Sequence, residues 1–208
     1  MQHSNTTRLL TAGVLFEGTQ SVSVVAQDDL IHITISPESH TENVLYFVLP
    51  AENAAKQYRI DVLFQSPHAH CRIVGLYHLS SHNTVEIKTY MQHRVPHCTS
   101  EQVWRGVLDG HAKAVFEGNI VVHPHAQKTD AQLSNKNLLL SKTAEINTKP
   151  ILEIEADDVK CTHGATVGCL DEQALFYLRT RGIAETEARQ LLIDAFMNEI
   201  MEKIPVLV

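Results

Sequence analysis

The stretch NLLLSKTAEINTKPILEIEADDVKCTH, residues 137–163, sets short apolar runs against short polar corners of Asn, Lys and Asp. Apolar and β-branched residues in partial alternation between such corners read as brief strands, each too short to form a sheet alone. Two architectures accommodate them: an antiparallel sandwich or barrel of the cupin or jelly-roll sort, and a parallel β-helix stacking strand upon strand. The shortness of the corners in this stretch favours the β-helix. No strict internal repeat stands out, so the pattern alone leaves both open.

Upstream the same texture continues from about Gly13. SVSVVA (21–26), LIHITIS (30–36), NVLYFVL (43–49), YRIDVLF (58–64), CRIVGLY (71–77), TVEIKTY (84–90) and KAVFEG (113–118) are further candidate strands, with Pro, Gly, Asn, Asp or His clusters between them. The chain is therefore expected to be mainly β over residues 1–168.

Downstream of Gly168 the period changes. DEQALFYLRTRG opens with acidic residues suited to a helix N-terminus, places Leu175 and Leu178 at helical spacing, and ends in Arg179, Arg181 and Gly182. A second helix is expected from about Glu185 to Lys203, before Pro205. Its apolar residues form two stripes, Ala188, Leu192, Ala195, Phe196 and Ile200 on one and Ile193, Met197 and Ile204 on the other. One stripe suffices to pack on the β-domain; the second either folds back as well or faces a partner. Residues 169–208 are thus expected to be a small C-terminal helical domain.

Composition narrows the function. With 208 residues, 44% hydrophobic and 20% charged, the chain can bury a core, and its net charge of −7 with 17 scattered basic residues argues against a nucleic-acid surface. The opening MQHSNTTRLLTAG lacks the apolar run of a signal peptide, and no window approaches a membrane span. The expectation is a cytoplasmic protein without membrane contact. Cys71, Cys98, Cys161 and Cys169 are irregularly spaced, which fits reduced thiols rather than a disulfide framework.

Chemistry concentrates at Cys161 and His163. On an extended strand they share a face, about 7 Å apart at the backbone, and a thiolate with a neutral imidazole suits iron or zinc. Two ligands are half of a closed site, so the rest must come from elsewhere or from another chain. The histidines of PHAHC (His68, His70), HRVPHC (His93, His97) and HPH (His123, His125) match no structural zinc spacing. No G-x-S-x-G, P-loop, G-x-G-x-x-G or H-E-x-x-H is present, and Asp157 and Asp158 beside Lys160 read as a coil corner.

From Phe116 to Gly118, through Lys128-Thr129-Asp130, 137–140, 147–150, the Glu153/Asp157/Asp158 segment, HGAT at 163–166 and FYLRTRGI at 176–183, the sequence resembles the SufB/SufD family of iron–sulfur cluster assembly scaffolds. The likeness is clear over about 98–201. It is closer to the SufD pattern, ADDVKC-x-HGATVG, because Ile154 stands where the SufB pattern has a cysteine. The resemblance implies a right-handed parallel β-helix followed by a small α-helical segment. It also implies pairing with a SufB-like β-helix and docking of a SufC-like ABC-type ATPase on the helical part.

On this resemblance His163 would contribute to a shared site for a transient iron–sulfur cluster or iron, with Cys161 as an accessory thiol. Leu175, Phe176, Tyr177, Leu192, Phe196 and Ile200 would supply the ATPase dock. The protein would be a non-enzymatic scaffold, with homodimerisation as an alternative to the heterodimer. Family members usually carry a helical N-terminal region and more coils than 208 residues hold, a departure from the pattern. The rivals are a β-helix interaction module without metal chemistry, a cupin-type metal barrel, and a β-helix polysaccharide-active enzyme. The last requires clustered carboxylates or Ca²⁺-binding aspartates, and Asp is sparse in the candidate strands.

Overall fold

Strands of five to ten residues, ten in each of the last seven, build the molecule. The structure, a computed structural model, describes residues 7–11, 14–18, 22–27, 30–49 and 56–204. The expectations for residues 1–6 and for Pro205 lie outside the described residues.

The strands are β1 (Thr7–Thr11), β2 (Val14–Gly18), β3 (Val22–Gln27), β4 (Leu30–Ile35), β5 (Glu42–Leu49), β6 (Lys56–Phe64) and β7 (His70–Leu79). Then come β8 (Thr84–His93), β9 (Thr99–Leu108), β10 (Lys113–Val122), β11 (Asp130–Leu139), β12 (Glu145–Ile154) and β13 (Lys160–Cys169), followed by helices α1 (Glu172–Thr180) and α2 (Glu185–Met201). Odd and even strands separate into two sheets, ordered β1-β2-β5-β7-β9-β11-β13 and β12-β10-β8-β6-β4-β3. From β4 and β5 onward every pairing is parallel, giving a β-solenoid of about 5 turns. The β-helix reading is correct; β1–β2, β2–β5 and β3–β4 add antiparallel pairs at its start.

NLLLS and ILEIEA overlap only the C-terminal ends of β11 and β12 and run two residues past each, and the first halves of these strands carry polar residues. The sequence suggested no strand at β9 and, at β13, only the extended stretch from Cys161 to His163. In β9 the inward positions Ser100 and Gln102 are polar yet buried, and Arg105 faces outward yet is buried. In β13 Gly164, Gly168 and His163 interrupt the run of β-formers.

Inward columns follow the register. Ile31, Tyr58, Ile87, Phe116 and Thr148 oppose one another through successive turns, and Trp104 lies edge-on to Phe47 at 5.4 Å between centroids. All of these but Thr148 belong to one continuous apolar core that fills the lumen. His93 interrupts it. Its ring stacks on Phe64 at 4.2 Å, Nε2 lies 2.9 Å from Ser100 Oγ, and Nδ1 has no partner. Burial pushes its pKa down from 6.5 to about 3.

A histidine that is harder to protonate when folded destabilises the fold wherever the unfolded chain takes up the proton first. That stability is fully present above pH 6.5 and drains away as pH falls from there toward 3. The slope is about 1.4 kcal/mol per pH unit, so on the order of 2 kcal/mol is lost between pH 6.5 and 5. Urea unfolding of wild type and His93→Gln at the two pH values checks this. The wild type loses this increment over the variant; equal losses in both would remove His93 as the cause.

The helices cover the outer face of the seven-stranded sheet. Asp171 caps α1 by accepting from the Gln173 backbone N–H at 2.8 Å, and Gly182 ends it with φ +87°. Ala188 and Ile193 of α2 join Val107, Leu138, Leu170 and Leu175 in a second core, while Ile200 packs on Tyr46, Val74 and Leu76. Both apolar stripes of α2 therefore contribute to packing within this chain. Beneath α2, the Arg105 guanidinium, 2% exposed, meets the Glu199 carboxylate at 2.6 Å and donates to Trp104 O at 3.0 Å. Lys136 reaches the same carboxylate at 3.5 Å, and the hydrogen bond from Arg105 holds the Glu199 carboxyl below its ordinary range. The ion pair pins α2 to β9 and β11.

Candidate functional site

β12 and β13 are the last strands of their sheets, each bonded on one side only. An unpaired ten-residue edge is a template for another chain's strand. Among the described residues no further turn stacks on β12 and β13, so the terminal layer is open. Positions that are closed one turn earlier, such as Leu133 at 3% exposed, are followed by exposed ones.

Cys161 and His163 lie in this layer. Cys161 is in register with Ala131 and His163 with Leu133, two inward-facing core positions of β11. Both residues consequently sit on the lumen side of the terminal strand. Cys161 is half-buried against the main core, and burial, reinforced by Asp130, pushes its thiol pKa up. It is thus mostly a neutral thiol near pH 7, a weaker ligand than a thiolate. His163 is exposed. Among the described residues no group of three or more His, Cys, Asp or Glu is placed to hold a metal ion.

Behind this edge runs a polar network that sequence reading missed. Tyr77 OH donates to Asn137 Oδ1, Asn135 Nδ2 donates to Tyr77 OH at 3.2 Å, and Thr148 Oγ1 donates to Asn135 Oδ1 at 2.9 Å. Asn137 Nδ2 also reaches Thr166 O on β13 at 3.3 Å. The network fixes the terminal strand from inside. Its signal was available: two asparagines at alternate positions, continuing the face that begins with Ala131 and Leu133.

The helical residues separate by burial. Phe176 is 69% and Tyr177 56% exposed, with Arg181 stacked over the Tyr177 ring at 5.1 Å. Leu191 is exposed nearby in sequence on α2. Leu175 and Ile200, by contrast, lie in the chain's own cores, and Leu192 and Phe196 are half-buried, the Phe196 ring facing Arg105 at 5.8 Å. The exposed aromatic pair forms a surface; Leu175, Leu192 and Phe196 share one core, and Ile200 lies in another with Tyr46, Val74 and Leu76. No helix among the described residues is long and apolar enough to cross a membrane.

Comparison with known proteins bears on this arrangement. Residues 37–196 match the family described as SUF system FeS cluster assembly, SufBD core domain. The chain is 49% identical over 117 residues to iron-sulfur cluster assembly protein SufD of Escherichia coli (strain K12), covering 56% of this chain and 28% of that protein. It is 51% identical over 110 residues to the SufBD family protein slr0076 of Synechocystis, covering 53% and 24%. With the SufBD family protein ML0594 of Mycobacterium leprae the identity is 31% over 189 residues, covering 86% and 48%. The chain spans less than half the length of these relatives. Since the family match runs through the solenoid and into α2, the chain belongs to the SufBD family of the SUF iron–sulfur cluster assembly system.

Proposed function

We propose that this chain is a non-enzymatic SufD-like scaffold subunit in iron–sulfur cluster assembly. Its open edge pairs with a SufB-like β-solenoid, and His163 contributes an imidazole to a site for nascent cluster or iron that the partner completes. The observation that carries this reading is the exposed His163 on the lumen side of an unpaired terminal strand. A ligand placed there is useless to the chain alone and available to one that closes the layer. Cys161, held as a neutral thiol, acts as an accessory donor.

In the same reading a SufC-like ATPase docks on Phe176 and Tyr177, with Leu175, Leu192, Phe196 and Ile200 holding the helices that present them. Movement of the docked subunit reaches the sheet through the Glu199 carboxylate and its Arg105 and Lys136 partners. Anaerobic co-expression with SufB-like and SufC-like chains, followed by affinity purification and assay of iron and acid-labile sulfide, tests the whole proposal. A complex carrying both supports it; failure to co-purify with either chain rejects it.

The dock has its own test. Phe176→Ala with Tyr177→Ala removes two exposed aromatic anchors, each of the kind that contributes about 2 kcal/mol or more at an interface centre. ATPase retention in a pull-down is expected to fall by more than about tenfold, with the SufB-like chain still bound. Unchanged retention would place the dock elsewhere.

A further inference from the structure

At the corners leading from the even to the odd strands, three turns carry a histidine at the same position. His40, His68 and His97 have φ of +58°, +59° and +61°, the left-handed region that most side chains avoid. Lys128 continues the series at +61°. Their repetition stacks the exposed imidazoles, His40 on His68 at 5.0 Å and His68 on His97 at 4.7 Å between centroids, within 9° of parallel. A recess of about 410 Å³ opens beside the first two, walled also by Glu42, His70 and Thr99. The register explains it, since Glu42, His70 and Thr99 oppose one another in β5, β7 and β9.

We propose that His40 and His68, at the mouth of this recess, form a surface site for a nitrogen-seeking divalent transition metal such as Ni²⁺, Zn²⁺ or Cu²⁺, separate from the open edge. Neutral imidazole is the preferred protein ligand of these ions, whose affinity for nitrogen sites exceeds that of Mn²⁺ or Fe²⁺. Metal–nitrogen bonds are about 2.1 Å long, so one ion bridges two neighbouring rungs once their exposed rings tilt together from the stack. As stacked, no three His, Cys, Asp or Glu side chains among the described residues converge on one point. The site is therefore a two-imidazole capture site completed by solvent, with Glu42 and His70 on its wall. It does not have the four protein ligands of a structural zinc centre.

The solenoid gives the arrangement its cause. A histidine alone at a corner is an isolated surface ligand, but recurrence at a fixed corner brings the side chains of adjacent turns within one strand spacing. At the opposite corner His82 and His111 stack in the same way at 4.7 Å and provide an internal comparison.

The test is calorimetric titration of Ni²⁺ into the chelator-stripped full chain, repeated for His68→Asn and His40→Asn. Asparagine tolerates the left-handed backbone, so each variant removes the imidazole while keeping the corner. Affinity is expected to fall about tenfold or more in each, whereas His82→Asn and His163→Ala retain the site. Thermal unfolding without metal confirms that each variant is folded, and added Ni²⁺ raises the midpoint of wild type more than that of His68→Asn. Binding unchanged in both ladder variants, or lost in His163→Ala instead, overturns the proposal.

Discussion

Replacing His163 with alanine is expected to strip iron and acid-labile sulfide from the co-purified assembly complex while the chain itself stays folded and partnered. The two halves of this expectation have separate causes. His163 is exposed on the terminal strand and belongs to none of the apolar cores, so its removal should change stability by no more than about 0.5 kcal/mol. The backbone edge that pairs with a partner is unaltered, because strand addition depends on main-chain hydrogen bonds. What disappears is one ligand of a site with few others, and losing even a group that only orients a ligand costs tenfold or more in metal affinity. A drop of at least about tenfold in bound iron is therefore expected. Cys161→Ser should be milder, since burial already keeps that thiol protonated. A His163→Ala complex with normal iron and sulfide would leave the chain a purely structural member of the assembly.

The parts of this molecule legible in its sequence are those where local pattern and global fold agree. The polar corners of residues 137–163 pointed to a parallel β-helix, and the acidic start, basic end and Gly182 of α1 marked a helix that the structure contains. The repeat was hidden because its length drifts. His70 opposes Thr99, 29 residues on, whereas Lys113 opposes Glu145, 32 residues on, and Glu42 opposes His70 across only 28. Corners absorb these differences, so the columns align in space while the sequence shows no fixed period.

Inward polar residues concealed the rest. Thr89 donates to Gln102 at 2.7 Å and His93 Nε2 lies 2.9 Å from Ser100 Oγ, pairs that make buried polar positions tolerable but erase the apolar alternation. At the candidate edge, alternation correctly put Cys161 and His163 on one face. It could not reveal that this face continues the lumen, which depends on pairing with β11. For the helices, spacing showed the stripes of α2 but not their destination. Only the contacts with Val74, Leu76 and Tyr46 place Ile200 inside, while its neighbour Met201 is exposed.

Trp104→Ala is expected to produce the largest loss of stability available from one side chain, about 3–5 kcal/mol. Trp104 is fully buried in β9, with Phe116 at 5.2 Å and Phe47 at 5.4 Å between centroids, so it joins the packing of both sheets. It also lies over Gly75 of β7, where an added Cβ would come within 2.0 Å of the indole Cε3. The space that glycine leaves is the space the indole fills. Removing the indole opens a cavity that a solenoid cannot collapse, because neighbouring turns hold the strand spacing. For a chain of this length the loss corresponds to roughly 10 °C in thermal midpoint. The pairing with Gly75 supplies a second, sharper expectation. Gly75→Ala alone should destabilise by overpacking, about 1–3 kcal/mol. In the Trp104→Ala background the same methyl enters the cavity, so Gly75→Ala should be neutral or stabilising there, a non-additivity that a double-mutant cycle measures directly. Additive losses from the two substitutions would show that Trp104 and Gly75 do not share this contact, and a Trp104→Ala loss below about 1 kcal/mol would mean that the indole does not tie the sheets together.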